Sequence, residues 1–205
     1  MYKLYDLSLS GHCHRARLFL DLMGLPYECV PVDLMSGEHK DEDYVKRNPF
    51  AKVPLLEDDD TLIRESNAIL VYLALKHRAR DWYPVEDAKT AAEIQQWLNV
   101  AANEVLQGPA KAYVARVFGG SDEVYKEGVE NSHKLYAVMD PLLEDRDWLV
   151  SNRPTLADVA LYSYISRAPL SGVDISAYGN IQRWLENVEG LTGFVAMPDP
   201  ALDAA

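Results

Sequence analysis

The spacing of apolar residues changes twice within the first 32 positions of the chain. Lys3–Asp6, with Leu4 and Tyr5 at its centre, is predicted to be a short β-strand. Residues at helical spacing follow, namely Ala16, Leu20 and Met23. We expect this helix to end at Gly24, because glycine tolerates the left-handed backbone that commonly terminates helices. The apolar run Tyr27–Val32 predicts a second strand, so the chain opens β-α-β.

The pattern then predicts a second pair of strands and a further helix. Residues 33–47 are polar and acidic, and we expect one irregular helix among them. Pro54–Glu57 and Thr61–Arg64 flank an acidic turn and favour an antiparallel hairpin. Ser66–Lys76 has helical spacing. The predicted order β-α-β-α-β-β-α is a thioredoxin-like layout.

The second half of the chain has the pattern of helices alone. From Ala88 onward apolar residues recur at helical spacing, as in Ile94, Trp97, Leu98, Ala101 and Val105. Gly108-Pro109 should interrupt a helix, because proline removes a hydrogen bond and clashes with the preceding turn. Gly119-Gly120-Ser121 indicates a break between helices. We therefore predict an α/β thioredoxin-like N-terminal domain over residues 1–77, a linker over 78–87 and an all-α C-terminal domain over 88–205.

Composition excludes some classes of partner. The chain has 20 Lys and Arg against 32 Asp and Glu, a formal net charge of −12 at pH 7. Nucleic acid and anionic membrane surfaces would repel such a protein, so we expect neither as a partner. Only two cysteines occur, and no leader pattern or apolar run of about 18 residues is present. These features predict a cytoplasmic protein with no membrane association.

Two neighbouring segments suggest chemistry. In Asn48–Leu56, with sequence NPFAKVPLL, a proline enters a short apolar run, where it cannot donate a ladder hydrogen bond. A cis Val53-Pro54 peptide is one explanation. Glu65-Ser66 then opens the predicted helix, whose first turn would present free backbone N–H groups to an anion.

These segments resemble the glutathione S-transferase superfamily, in particular its serine-type, theta- and zeta-like members, including bacterial ones. The likeness continues through Ser10–Ala16 and Gly24–Glu28 near the amino terminus. It returns in Arg153–Asp158 and Asn180–Trp184, so it covers nearly the whole chain. The resemblance implies a homodimeric transferase, with a role in detoxification, that uses glutathione as co-substrate and attacks a small apolar electrophile.

Such an enzyme must present the glutathione sulfur as a thiolate, because a thiol with a pKa near 8.5 is mostly protonated at pH 7. Lowering that pKa by about two units requires roughly 2.7 kcal/mol of preferential thiolate stabilisation. A hydroxyl donor and a helix N-terminus together can supply it. The resemblance assigns the donor to Ser10. Considered without the resemblance, Ser10 is better explained as the cap of the first helix. Ser8 and Tyr5 are weaker candidates for the donor.

The resemblance also implies how the peptide is held. Val53, before a cis Pro54, would pair through its backbone with the cysteinyl unit. Glu65 would hold the ammonium and Ser66 the γ-glutamyl carboxylate. Lys52 and His39 match positions that contact the glycyl carboxylate. The predicted glutathione-binding set is Ser10, His39, Lys52, Val53, Pro54, Glu65 and Ser66.

Two other functions stay open at this point. Cys13, close to the predicted helix N-terminus, could serve a glutathione-dependent disulfide reductase or peroxidase. The chain could also be a noncatalytic binding module that retains the fold. His12 and His14 flank Cys13, yet adjacent helical residues diverge by about 100°, so we expect no metal site.

The second substrate leaves a weaker signal. The interrupted helix near Pro109 could shape its pocket, for which Tyr113, Arg116 and Tyr162 are candidates. Conjugation, isomerisation, dehalogenation and ether cleavage all fit this chemistry. Thr155-Leu156-Ala157-Asp158 has the form of a capping box, and we assign it to folding.

Overall fold

The computed structural model describes residues 1–200, which form two compact units. The first comprises Met1–His77 together with residues 192–200, and the second is Arg78–Leu191. The tail belongs to the first unit because His14 Nε2 lies 2.8 Å from the Val195 carbonyl oxygen. The sequence pattern had grouped this tail with the helices.

The first unit is built on a four-stranded sheet, in the order β2-β1-β3-β4. β1 runs parallel to β2, and the β1-β3 and β3-β4 pairs are antiparallel. The strands are β1 Tyr2–Asp6, β2 Tyr27–Pro31, β3 Leu55–Asp58 and β4 Thr61–Arg64. The predicted hairpin and the thioredoxin-like layout are therefore confirmed.

Three α-helices complete this unit. They are α1 Gly11–Leu22, α2 Glu42–Arg47 and α3 Ser66–Lys76. A single 3-10 turn, Glu38–Lys40, precedes α2, which agrees with the irregular helix expected in residues 33–47. Helices α1 and α3 pack against each other, so their N-terminal ends, which begin beside Ser10 and Glu65, belong to one packed layer.

The described part of the second unit contains helices and no strand, as predicted. Its helices are α4 Ala88–Ala102, α5 Lys111–Phe118, α6 Asp122–Leu142, α7 Leu156–Ile165, α8 Ala168–Ser171 and α9 Gly179–Glu189. Pro109 lies in a π-helical segment, Leu106–Ala110, so the predicted interruption is confirmed. Gly119 ends α5 with a φ of 81°, and Ser121 caps α6. No helix within residues 1–200 is long and apolar enough to cross a membrane.

Asp158 is the main polar anchor of the second unit. One carboxylate oxygen accepts from the Leu149 amide at 3.0 Å and from Trp184 Nε1 at 2.9 Å. The other accepts from the Thr155 amide at 2.8 Å, which closes the capping box at the start of α7. The predicted cap is confirmed, and it also orients Trp184 in the core. Trp97, assigned to the core from its spacing, is only half-buried.

We predict that Asp158→Ala strongly destabilises the protein. The substitution leaves several buried donors without an acceptor, and each orphaned donor costs about 1–3 kcal/mol. The free energy of unfolding should therefore fall by about 3 kcal/mol or more, measured by urea denaturation followed by circular dichroism.

Asp87→Ala is the matched control. Asp87 caps α4 by accepting from the Lys89 and Thr90 amides, but it is exposed. Water replaces the lost acceptor there, so the loss should be much smaller. Equal losses in the two variants would contradict a special role for burial at Asp158.

Candidate glutathione site

Ser10 occupies the position that caps α1. Its Oγ accepts from the Cys13 amide at 3.4 Å, and the side chain is half-buried. A hydroxyl both accepts and donates, so Ser10 can accept this bond and donate its own proton to a ligand. The positive end of the α1 dipole and its free amides favour an anion here. The N-cap role and the role predicted from the resemblance are therefore compatible in one residue.

The start of α3 is strained in its backbone. Glu65, which precedes α3, has φ 68° and ψ 124°, a conformation that costs non-glycine residues energy. Its side chain is exposed and makes no hydrogen bond or ion pair within residues 1–200. Ser66, the next residue, is buried. This strained backbone holds a free carboxylate beside a buried hydroxyl at a helix N-terminus.

Arg15 joins the two helix starts, and sequence reasoning missed it. Its side chain is only 1% exposed, and Nη1 donates to Ser66 Oγ and to Asn67 Oδ1, both at 2.9 Å. Ser66 Oγ accepts this bond, so its own proton can be donated to a carboxylate. A hydropathy pattern classes arginine as a polar residue that faces solvent. The one signal that could have identified Arg15 is its buried position on the face of α1 that packs against α3.

The loop before β3 contains the cis Val53-Pro54 bond, as the sequence suggested. The Lys52 carbonyl oxygen accepts from Tyr44 OH at 2.7 Å and from Asn48 Nδ2 at 2.6 Å. Within residues 1–200 the Val53 N–H and C=O make no backbone hydrogen bond. The Val53 backbone is thus held in place by its neighbour and can pair with an extended peptide.

His39 lies in the short 3-10 turn. Its Nδ1 is buried and has no hydrogen-bond partner within residues 1–200. Buried polar atoms nearly always have a partner in native proteins, so this nitrogen is suited to a ligand. The neighbouring Lys40 is exposed, as is Lys52.

The charges around the start of α1 are positive although the protein is acidic. Burial, and then the positive charges of Arg15 and Lys52, lower the pKa of His12 to about 3. His12 is therefore neutral at physiological pH, and the two cations lie near it. Their field favours an anionic ligand beside Ser10.

The structure weighs against Cys13 as a nucleophile. Its side chain is 0% exposed, and its sulfur accepts from the Leu7 amide at 3.4 Å. Burial, and then the Asp6 carboxylate, raise the pKa of Cys13 to about 12. A thiol of this kind is neither accessible nor ionised at physiological pH. No observation favours the disulfide reductase or peroxidase alternative.

The three candidates for the electrophile pocket lie in the second unit. Tyr113 is 0% exposed and packs edge-on against Tyr164. Tyr162 is also buried, and its hydroxyl donates to Glu189 Oε1 at 2.9 Å. Arg116 is exposed on α5. The two tyrosines therefore have the surroundings of core residues, and Arg116 is the accessible candidate.

The fold and this geometry define a class of protein. A thioredoxin-like unit is followed by an all-helical unit. The first unit contains two helix N-termini, a cis-proline loop and local cations. Such a layout is that of a glutathione-dependent enzyme.

Comparison with known proteins gives the family. The glutathione S-transferase N-terminal domain matches residues 1–75, and the glutathione S-transferase C-terminal domain matches residues 90–191. The chain is 32% identical to glutathione S-transferase F13 of Arabidopsis thaliana, over 99% of this chain and 97% of that protein. The chain belongs to the glutathione S-transferase family.

Solved structures agree with this assignment. A possible glutathione S-transferase from Rhodopseudomonas palustris has a TM-score of 0.89 and 33% identity, over 100% of this chain and 96% of that one. A glutathione transferase homologue from Drosophila mojavensis, solved with bound glutathione, has a TM-score of 0.84 and 30% identity, over 93% and 88%. The fold and the transferase class predicted from the sequence are confirmed.

We predict that the two cysteines react differently with a thiol reagent. Cys29 is exposed on β2, whereas Cys13 is inaccessible. Native protein should therefore incorporate N-ethylmaleimide rapidly at Cys29 and at Cys13 only after unfolding, as mass spectrometry of peptides would record. Cys29→Ser should abolish the rapid labelling. Rapid labelling of Cys13 in native protein would revive the redox alternative.

Proposed function

We propose that the protein conjugates glutathione to a small apolar electrophile and that Ser10 stabilises the attacking thiolate. The observation that carries this proposal is the half-buried Ser10 hydroxyl at the N-terminus of α1. A hydroxyl donor held in advance beside a helix N-terminus lowers a thiol pKa without reorganisation during the reaction. The thiolate then attacks the electrophile and forms the carbon–sulfur bond.

The remaining residues would hold the peptide by its ends. Glu65, exposed and without a partner among the described residues, suits the ammonium group. Ser66, supported by Arg15, suits the γ-glutamyl carboxylate as a charge-assisted acceptor. The Val53 backbone suits the cysteinyl unit. His39 and Lys52 suit the glycyl carboxylate, which completes the set with the cis Pro54.

The finer features of the function remain proposals from the sequence. They are a role in detoxification, a cytoplasmic location and the absence of a metal, of nucleic-acid partners and of membrane association. Arg116 is the accessible candidate for contact with the electrophile, whereas Tyr113 and Tyr162 are core residues. Conjugation, isomerisation, dehalogenation and ether cleavage all use the same activated thiolate.

We predict that Ser10→Ala raises the pKa of the bound glutathione thiol. Removing the donor should raise this pKa by about two units, toward that of free glutathione, which corresponds to roughly 2.7 kcal/mol. The measurement is the ultraviolet thiolate absorbance of bound glutathione as a function of pH.

Ser8→Ala is the matched control, because Ser8 lies in the same loop and its hydroxyl makes no hydrogen bond within residues 1–200. The thiol of glutathione bound to Ser8→Ala should have the same pKa as the thiol of glutathione bound to the native protein. Saturable glutathione binding with the same thiol pKa in Ser10→Ala would contradict the Ser10 mechanism. The noncatalytic alternative would then be favoured.

The proposed homodimer has support in the second unit. An apolar groove of about 680 Å³ lies between α4 and α6. Its apolar lining is Trp97, Val100, Leu135, Val138, Met139, Leu142, Leu149 and Val150. Val138 and Leu142 are 62% and 51% exposed, which is costly in water. We propose that a second copy of the chain covers this groove.

We predict that Val138→Glu shifts the protein toward the monomer. A charge at the centre of the apolar groove would have to be desolvated in the dimer. Size-exclusion chromatography with light scattering, run at several protein concentrations, measures the change. Val124→Glu, on the same helix, 39% exposed and outside the groove lining, should keep the native mass. A native mass for Val138→Glu would exclude this groove as the interface.

A further inference from the structure

The loop that carries Ser10 is fastened by buried groups. Residues 7–9 join β1 to α1, and Arg17 of α1 reaches back so that Nη2 donates to the Ser8 carbonyl oxygen at 2.8 Å. The Ser10 amide donates to the Leu7 carbonyl oxygen at 2.9 Å. The Leu7 amide donates to the sulfur of Cys13. The backbone on the N-terminal side of Ser10 is thus bonded at each end of the loop.

Arg17 is itself held by Asp6, the last residue of β1. Nη1 lies 2.5 Å and 2.6 Å from the two carboxylate oxygens of Asp6, and both residues are buried. One guanidinium therefore bonds the end of the strand through one nitrogen and the Ser8 carbonyl through another. The planar fork of arginine suits this double contact, whereas lysine presents a single point of charge.

Stability alone is a weak explanation for this ion pair. Burial raises the pKa of Asp6 although Arg17 opposes the shift, so the desolvation of the carboxylate outweighs its attraction to the guanidinium. Apolar residues of similar volume often stabilise such a position as well or better. What an apolar pair cannot supply is the bond to the Ser8 carbonyl. The geometry of the loop is the property that depends on the charged pair.

We propose that the Asp6–Arg17 ion pair is a positioning device, which fixes the backbone of the Ser8 loop and so aims the Ser10 hydroxyl at the glutathione sulfur. This inference rests on the proposed role of Ser10. Neither Asp6 nor Arg17 would contact the substrate directly. They act through the loop, and a displacement of Ser10 weakens its bond to the thiolate because hydrogen bonds depend steeply on distance and angle.

The test replaces the pair without leaving a buried charge. Asp6→Leu combined with Arg17→Met removes both charges at similar volume. We expect the double variant to fold and to bind glutathione with little change in Kd, because Glu65 and Ser66 are untouched. The pKa of the bound glutathione thiol should rise by about one unit, a tenfold loss of thiolate stabilisation. Thermal melting verifies folding, and thiolate absorbance against pH gives the pKa.

Arg17→Lys is the second variant. Lysine keeps the charge opposite Asp6 but cannot hold both contacts in the arginine geometry, so the thiol pKa should rise by a smaller amount. Lys3→Met is the control. Lys3 lies on β1, as Asp6 does, but its Nζ pairs with Glu57 of β3 at 3.5 Å and not with the Ser8 loop, so its loss should leave the thiol pKa unchanged.

Each outcome either supports or contradicts the positioning role of the Asp6–Arg17 pair. A folded double variant with the native thiol pKa overturns the positioning role while Ser10→Ala, measured alongside, still raises the pKa and preserves the proposed function. A native pKa in Ser10→Ala overturns both. If the double variant does not fold, the Arg17→Lys variant is the test. A native pKa for the glutathione thiol bound to Arg17→Lys would then contradict the proposal. Equal increases in Lys3→Met and the double variant would show a general loss of stability.

Discussion

The hydrogen bond between buried Arg15 and Ser66 is the contact on which the site depends. It joins Arg15, in the second turn of α1, to Ser66, the first residue of α3. Apolar packing has no fixed direction, and Arg15 adds directed bonds to Ser66 and Asn67 at the start of α3. A guanidinium between the two helices fixes the relative position of the two anion-binding ends. It also places a positive charge next to a site on a protein with net charge −12.

That local charge explains how an acidic protein can bind a peptide with two carboxylates. Long-range attraction is absent, because the overall charge repels anions. Recognition must instead come from groups within a few ångströms, where desolvation strengthens each contact. The lowered pKa of His12 reports this field, since Arg15 and Lys52 both contribute to it. Binding should thus be governed by a few short contacts rather than by steering.

Much of the fold followed from spacing alone. The hairpin of β3 and β4, the helix interruption at Pro109 and the cap at Asp158 were all predictable, because each depends on residues within a few positions of one another. The residues around the site were less accessible to such reasoning. Ser10 and Glu65 were found only through a family resemblance, since either could be an ordinary residue at the start of a helix.

Arg15, Arg17 and Asp6 could not be found from local pattern. Their side chains are charged, so periodicity assigns them to solvent, yet all three are buried. Their roles arise from partners 9 to 52 positions away in sequence. The half-buried Trp97 was misassigned for the converse reason. Helical spacing identifies the apolar face of α4 but cannot distinguish a face covered by the same chain from one that borders an open groove.

Asp158 and His39 differ in how their buried polar atoms are satisfied. In the second unit, Asp158 accepts from several buried donors, which is the arrangement expected of a structural group. In the first unit, the His39 Nδ1 is buried without a partner among residues 1–200, and Glu65 adopts a strained backbone. A buried polar atom without a hydrogen-bond partner, or a strained backbone, lowers the stability of a protein. Such features persist where a ligand supplies the missing interaction. This contrast distinguishes Asp158, a structural cap, from His39, a candidate ligand contact.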